Sequence, residues 1–569
     1  MKKIVSFKFQ ALAATASLGL VYAGGASAFL FDVGDVAWRV DTAFTSGISV
    51  RTEEQNQGLI GIQNGGTLTS VNSDDGNLNF EKGDIVSAAL KLTTDISAQG
   101  ARHGFSARTR LLYDPIYDDG KPLKAGRPAL PKETQDRAGA DFQLAEAYFV
   151  TNFDIAGHDT LLKAGRVVLN WGESTFTPGG VNIDPADLQN LRAPGAKIRD
   201  AFTGSEMLNV YVDINENLGF EGFYQFGHNE TEPDPQGTFF STLDIENSLA
   251  LRFGASPEGD PDFTIFRSPD NEPRSGGQAG MALRYYLDAA GGVQLAAYYA
   301  NYHSRAPLIS GTAKNGPPNT MRYFLEYPED NQLLGVSANG IVGDWSIYGE
   351  LAHHIGSPLQ VDDVELIYAG LGGADQLDAD PNTPGTQQFA PGAYIRGYKR
   401  LDVSQATFGG LRSYGSESLF WADNLIVAFE VGMNQVHDMP TEDELRFDGP
   451  GTTTKGGTDT LGASPNQQVD GFATDFSWGY KLIARMSYFG VTDSISLIPR
   501  AVFFHDVDGV TPGPTGTFVE DRKSVTLGLT TQFSRTFDID LSYSNFFGGG
   551  NFNTRNDRDH ASLTVAYSF

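Results

Sequence analysis

Apolar and polar residues alternate at every second position along most of this chain. Val36, Trp38, Val40, Thr42, Phe44, Ile48 and Val50 share one parity, and Arg39, Asp41, Thr45, Ser49 and Arg51 share the other. Val86, Ala88, Leu90, Leu92 and Ile96 stand against Ser87, Lys91, Thr93 and Asp95. Phe105, Ala107, Leu111 and Tyr113 oppose Ser106, Arg108 and Arg110. The pattern returns near the C-terminus, where Trp478, Tyr480, Leu482, Ala484, Met486 and Tyr488 oppose Lys481, Arg485 and Ser487. A period of two with charges confined to one face predicts strands that are apolar outside and wet inside.

The alternation predicts about 18 strands, at 35–51, 84–97, 103–113, 141–153, 159–171, 206–214, 218–227, 277–287, 293–303, 332–340, 345–355, 400–411, 423–436, 476–488, 493–506, 522–533, 537–547 and 559–569. The connections between them alternate between short and long. Short turns on one side and long loops on the other match periplasmic turns and extracellular loops, so the expected fold is an all-β transmembrane antiparallel barrel. Two positions strain the pattern. Pro499 lacks a ladder donor inside a strand, which predicts a bulge. Lys163 and Arg166 fall on opposite parities, and a bulge at Gly165 would turn both inward.

The ends fit a barrel. Lys2, Lys3 and Lys8 precede an apolar run from Ala11 to Tyr22 and the small-residue site Ala26-Ser27-Ala28. Residues 1–28 therefore read as a signal peptide, leaving 29–569 as the barrel. At the other end Leu563, Val565, Tyr567 and Phe569 alternate with small polar residues. A terminal aromatic in this setting resembles the signal read by the barrel-assembly machinery, so Phe569 is the expected contact with it.

Composition sharpens the picture. The chain has 569 residues, 41 Lys+Arg against 70 Asp+Glu, and no cysteine. A net charge of −29 excludes a nucleic-acid footprint. The absence of cysteine excludes disulfides, thiol nucleophiles and Cys-based metal sites. No stretch of about 18 apolar residues follows the signal segment, so no membrane helix is expected. Loops 228–276, 356–399 and 437–475 hold 24 acidic and 7 basic residues, which places the acidity on the extracellular rim, among outer-membrane lipid and lipopolysaccharide.

Several motifs then carry a resemblance. They are Gly165-Arg166, Asn170-Trp171-Gly172-Glu173-Ser174-Thr175, Pro178-Gly179-Gly180-Val181-Asn182, Asp184-Pro185-Ala186-Asp187 and Pro194-Gly195. Further on are Tyr302-His303-Ser304-Arg305, Gly349-Glu350, Pro358-Leu359-Gln360, His505-Asp506-Val507-Asp508-Gly509, Phe546-Phe547-Gly548-Gly549 and Asp557-Arg558-Asp559. The chain resembles a proteobacterial outer-membrane family known as domain of unknown function thirteen-oh-two. The resemblance implies an outer-membrane barrel. It also implies an association with a periplasmic lipid-binding-like protein and an inner-membrane pump, hence traffic of hydrophobic molecules.

Lumen-facing charges are the functional candidates: Arg39, Lys91, Arg108, Arg110, Arg166 and Arg284 on early strands, Glu350 and Glu430 on later ones. A cationic wall favours anions, whereas paired charges would only hold a wet wall together. The loop 172–205 is the candidate constriction, with Trp171, Glu173, Asn182, Asp184 and Asp187 as its marked residues. Asp184 is the expected N-cap and Pro185 the first position of a helical turn ending before Pro194-Gly195.

Catalytic patterns are weak. His353 and His354 are adjacent on a strand and point to opposite faces. Asp506-Val507-Asp508-Gly509 lacks the rest of a calcium loop and is read as a turn. No cofactor and no metal are expected. The expected function is transport of small amphipathic or hydrophobic solutes, carboxylate-bearing ones included. The alternatives are an export or lipid-delivery component coupled to a pump, an outer-membrane hydrolase, and an adhesin.

Overall fold

The computed structural model describes residues 29–569 except 69, 245–249, 253–263, 289–291, 374, 378–388, 416–418, 451–469, 493 and 515. The expected signal segment 1–28 and parts of loops 228–276, 356–399 and 437–475 lie outside the described residues.

Alternation becomes a closed ring of 18 antiparallel strands. In chain order they are β1 (Val36–Arg51), β2 (Leu90–Gln99), β3 (His103–Tyr113), β4 (Ala140–Ile155), β5 (His158–Val167), β6 (Ser205–Asn215), β7 (Leu218–Gln225), β8 (Gln278–Leu287) and β9 (Val293–Tyr302). The ring continues with β10 (Asn331–Val342), β11 (Trp345–Gln360), β12 (Tyr398–Tyr414), β13 (Asn424–Val436), β14 (Phe476–Thr492), β15 (Ile495–Asp508), β16 (Lys523–Gln532), β17 (Phe537–Phe547) and β18 (His560–Ser568). Each strand pairs with the next, and β18 closes on β1 from Ala43 opposite Ser568 to Arg51 opposite His560. Closure removes every sheet edge, which a hydrocarbon surround demands because it offers no partner to a free N–H or C=O. Among the described residues no helix is long and apolar enough to cross a membrane.

The two strand faces separate as the alternation predicts. Leu208, Leu334, Leu351, Phe408, Leu482, Leu527, Leu541 and Leu563 are exposed on the outer face. A belt of this kind around a closed ring is the outer-membrane architecture, and the chain is an outer-membrane barrel. Its short turns are tight. Between β4 and β5, Ala156 and Gly157 both take positive φ (54° and 90°), which matches the twist of the flanking strands. Phe569 lies at this short-turn end, where its backbone exchanges hydrogen bonds with Thr42.

Four expectations change. The ladder runs unshifted past Gly165, so there is no bulge there and Arg166 stays on the outer parity. Gly165 serves close approach instead, because a Cβ would sit 2.3 Å from the Ala147 carbonyl. The bulge of this region falls in β4, where Arg108 opposes Glu146 but Thr109 opposes Leu144. Pro499 pairs in register with Leu529, and the irregularity lies nearer the turn, between Tyr488 and Thr492.

Strand β5 stops at Val167, not 171, and Trp171 belongs to the connection that follows. The long connections are also not all irregular. Residues 250–252, 264–267, 308–312, 322–326 and 394–395 form a second, five-stranded sheet. The helix Asp363–Leu371 packs Ile367 and Leu371 against Leu251, Ile265 and Tyr323 of that sheet and against Met321 beside it. Period-two patterning is hard to see in strands of two to five residues, so this cap was not legible as structure.

Candidate functional site

The connection between β5 and β6, residues 168–204, runs inside the barrel and is fastened to opposite walls. Its first arm meets carboxylates that project inward from β11 and β13. Glu350 accepts the backbone N–H of Glu173 at 2.6 Å and of Val181 at 2.8 Å, with Ser174 at 3.4 Å. Glu430, fully buried, accepts the N–H groups of Thr175 (2.8 Å), Phe176 (3.0 Å) and Thr177 (2.6 Å). It also accepts the hydroxyls of Thr177 (2.7 Å) and Tyr348 (2.8 Å). Lys481 lies 3.9 Å from Glu430 and donates to the Phe176 carbonyl at 2.6 Å and the Thr177 hydroxyl at 2.8 Å. A carboxylate ringed by N–H donors is a strong, charge-assisted arrangement that needs no particular loop side chains.

What the arm needs is backbone shape. Gly172 and Gly180 have φ of +86° and +69°, and a Cβ on either would sit 2.4 and 2.2 Å from the Glu350 oxygens. Flanking the two glycines, Trp171 and Val181 are buried with Ile183, Phe223, Tyr298 and Leu333 in an apolar core inside the barrel. The Trp171 indole N–H donates to Glu221 at 3.0 Å, and Glu221 also binds Arg284. Glu173 accepts from Asn339 at 2.7 Å.

The corner of the loop differs from the expectation. Asp184 does not cap a helix; it accepts the N–H groups of Leu169 and Asn170, each at 3.0 Å. Burial pushes its carboxyl up to about 6, although those donors and Arg305 pull it back. Asn182 accepts the Asp184 N–H at 2.8 Å. The helical turn is Leu188–Arg192, with Asp187 as N-cap to Asn190 at 2.9 Å, and it ends before Pro194. The offset arises because Asp184 is drawn back onto the strand end, leaving the next free Asp to cap.

The second arm returns along the opposite wall, where the charges are reversed. Lys91 binds the loop's own Asp200 at 2.7 Å, and both are buried. Arg110 donates to the carbonyls of Asp200 and Phe202. Burial raises Asp200, but Lys91 and then Arg110 outweigh it and hold the carboxyl below its usual range. Pro194 and Gly195 pass so close to β1 that a Cβ on Gly47 would meet Pro194 at 2.3 Å.

The remaining sequence candidates scatter. Arg108 pairs with Asp95 across β3 and β2 at 2.6 Å. Arg39 is exposed and pairs with Asp41 on its own strand. Arg166 is corrected from a lumen residue to a clamp at the extracellular rim, donating to the Gly204 and Leu144 carbonyls at 3.0 Å. His353 and His354 diverge: His354 meets Tyr302 at 3.1 Å, and His353 meets Ser404 at 3.0 Å. The sequence reading missed Tyr348 as a loop anchor and gave Lys481 no such role, because only the third dimension sets β11, β13 and β14 opposite residues 173–177.

The family model described as protein of unknown function (DUF1302) matches residues 9–569. The chain belongs to the DUF1302 family. No curated protein matches it. Among solved structures this DUF1302 barrel is similar to OccAB1 of Acinetobacter baumannii, at 9 % identity and a TM-score of 0.43 over 94 % of this chain and 97 % of that one. It is similar to OpdK of Pseudomonas aeruginosa, solved with vanillate, at 8 % identity and 0.39 over 94 % and 98 %. It is also similar to the outer-membrane channel DcaP of Acinetobacter baumannii, at 8 % and 0.35 over 95 % and 99 %.

Proposed function

We propose that this barrel is a solute channel whose aperture is set by the infolded segment 168–204, and that it passes small amphipathic solutes, carboxylate-bearing ones included. The observation that carries the reading is the double anchoring: one arm on Glu350 and Glu430, the other on Lys91 and Arg110. A loop held on both walls narrows the path without closing it by chance. Much of the wall charge is consumed in that anchoring or in pairs within the wall, such as Arg108 with Asp95, Arg284 with Glu221 and Arg500 with Asp540. Lys197 on the loop and Arg485 on β14 remain exposed and have no ion-pair partner among the described residues. Asp538 stands on the parity of β17 opposite to the exposed Leu541, so the lumen wall carries both signs. Cations left unpaired on the wall suit an organic anion.

Single-channel recording in planar bilayers tests the aperture. Glu430→Gln is expected to raise conductance and its noise, and an unchanged conductance would sink the constriction. Liposome swelling with benzoate against benzamide tests the charge. Lys197→Glu with Arg485→Glu is expected to lower benzoate entry severalfold and leave benzamide unaffected. Equal entry of both solutes in the native barrel would remove the carboxylate from the proposal.

A further inference from the structure

Three carboxylates meet where two extracellular connections touch. Asp74 and Asp75 lie in the connection between β1 and β2, and Asp244 lies in the connection between β7 and β8. Each offers an oxygen within 4.8 Å of the other two. Asp74 is 0 % and Asp244 3 % exposed, so water does not reach them freely.

Their hydrogen bonding is half complete in a consistent way. Asp74 Oδ2 accepts from the Gly61 N–H at 2.8 Å and the Asn64 amide at 2.9 Å, while its Oδ1 is buried with no partner. Asp244 Oδ2 accepts from the Asp75 N–H at 3.3 Å, while its Oδ1 is likewise buried and bare. Asp75 is bound by Arg127 and by Gln236 at 2.7 Å. The local protein cation, Arg127, is therefore spent on one of the three. Two further arginines, Arg51 and Arg558, are buried nearby but share Asp557, each at 2.9 Å.

Buried carboxylates with bare oxygens carry a large desolvation cost unless something positive sits between them. A hard divalent cation takes oxygen ligands at about 2.3–2.6 Å, so carboxylate oxygens gathered this closely can share one ion. We propose that Asp74, Asp75 and Asp244 bind a divalent cation of the calcium class, with Asp74 Oδ1 and Asp244 Oδ1 as the two donors that the protein leaves open for it. The ion joins the first and fourth extracellular connections. Those connections already meet through the Asn72 carbonyl, which accepts the Asp244 N–H at 2.8 Å.

The refolded full-length barrel, stripped with EDTA, is titrated with CaCl2 by calorimetry, and its thermal unfolding is followed with and without the ion. One saturable site and a higher unfolding temperature in calcium are expected. Asp244→Asn and Asp74→Asn should each weaken binding at least tenfold and abolish the thermal shift. Asp119→Asn, an exposed loop carboxylate, should change neither. No saturable heat in the native barrel overturns the site, and so does an equal response in Asp244→Asn. A third overturning outcome is a calcium-insensitive native barrel that Asp244→Asn stabilises, because the three carboxyls would then only share protons. Should Asp244→Asn fail to fold, the native titration and Asp74→Asn decide.

Discussion

The two arms of the infolded loop are fastened by opposite chemistry. On the first arm the wall supplies carboxylates and the loop supplies backbone N–H groups, with Glu430 gathering three of them. On the second arm the wall supplies Lys91 and Arg110, and the loop supplies one carboxylate and two carbonyls. The first arm thus depends on backbone shape, and the second depends on one side chain, Asp200. The difference teaches that wall charge in this barrel is first a structural material. Little of it is left over for solute.

The largest effect is expected on the first arm. Glu430→Ala strands three N–H groups and leaves Lys481 buried without its partner, so local opening should be easier by about 3–5 kcal/mol. Amide exchange at 173–177 should accelerate by orders of magnitude while 198–203 stays protected. Equal acceleration of both arms would show that they release together and dissolve the contrast.

Lys91→Met comes next, at about 1.5–3 kcal/mol for a lost hydrogen bond to a charged group. Here exchange at 198–203 should rise first. The same arm should be acid-sensitive. Asp200 sits below its usual value in the folded protein, so its contribution is full above about pH 4 and fades as pH falls through that lowered value. Asp200→Asn should remove the acid step, and a step that survives the substitution assigns it elsewhere.

Glu350→Gln should cost about 1–2 kcal/mol, because the amide oxygen can keep the Glu173 and Ser174 N–H groups and gives up only that of Val181. Its signature is exchange at Val181 with little change at Thr177. The smallest effect is Arg108→Ala. Its partner Asp95 is 39 % exposed, so the pair is worth about 1 kcal/mol or less. Loop exchange should be unchanged, and a large loop effect would add Arg108 to the anchors of the second arm.

Much of the barrel was legible because alternation is a local property. The β3 and β17 spans match their predicted limits, and the other strand ends moved by a few residues, most at β2 and β11, then at β5 and β14. The loop motif was also legible as a motif: Gly172, Gly180 and Glu350 all belong to it. Why those residue types are needed was not, since the glycines answer to a carboxylate some 170 positions away. The cap helix and sheet escaped because their strands are too short to show a period. Asp74, Asp75 and Asp244 escaped because acidic residues in loops are common and only proximity sets these apart.

The sequence by itself determined a barrel of about 18 strands, the face most of them turn to lipid and the side on which the long connections lie. Side-chain parity and turn length are written locally, and closure follows because a membrane tolerates no open edge. Tertiary structure alone decided where the charges go. Lys91, Arg110, Glu350 and Glu430 all point inward by parity, but parity cannot tell a solvated charge from one consumed by a loop. That choice depends on which backbone groups arrive opposite them, and those arrive from the far wall.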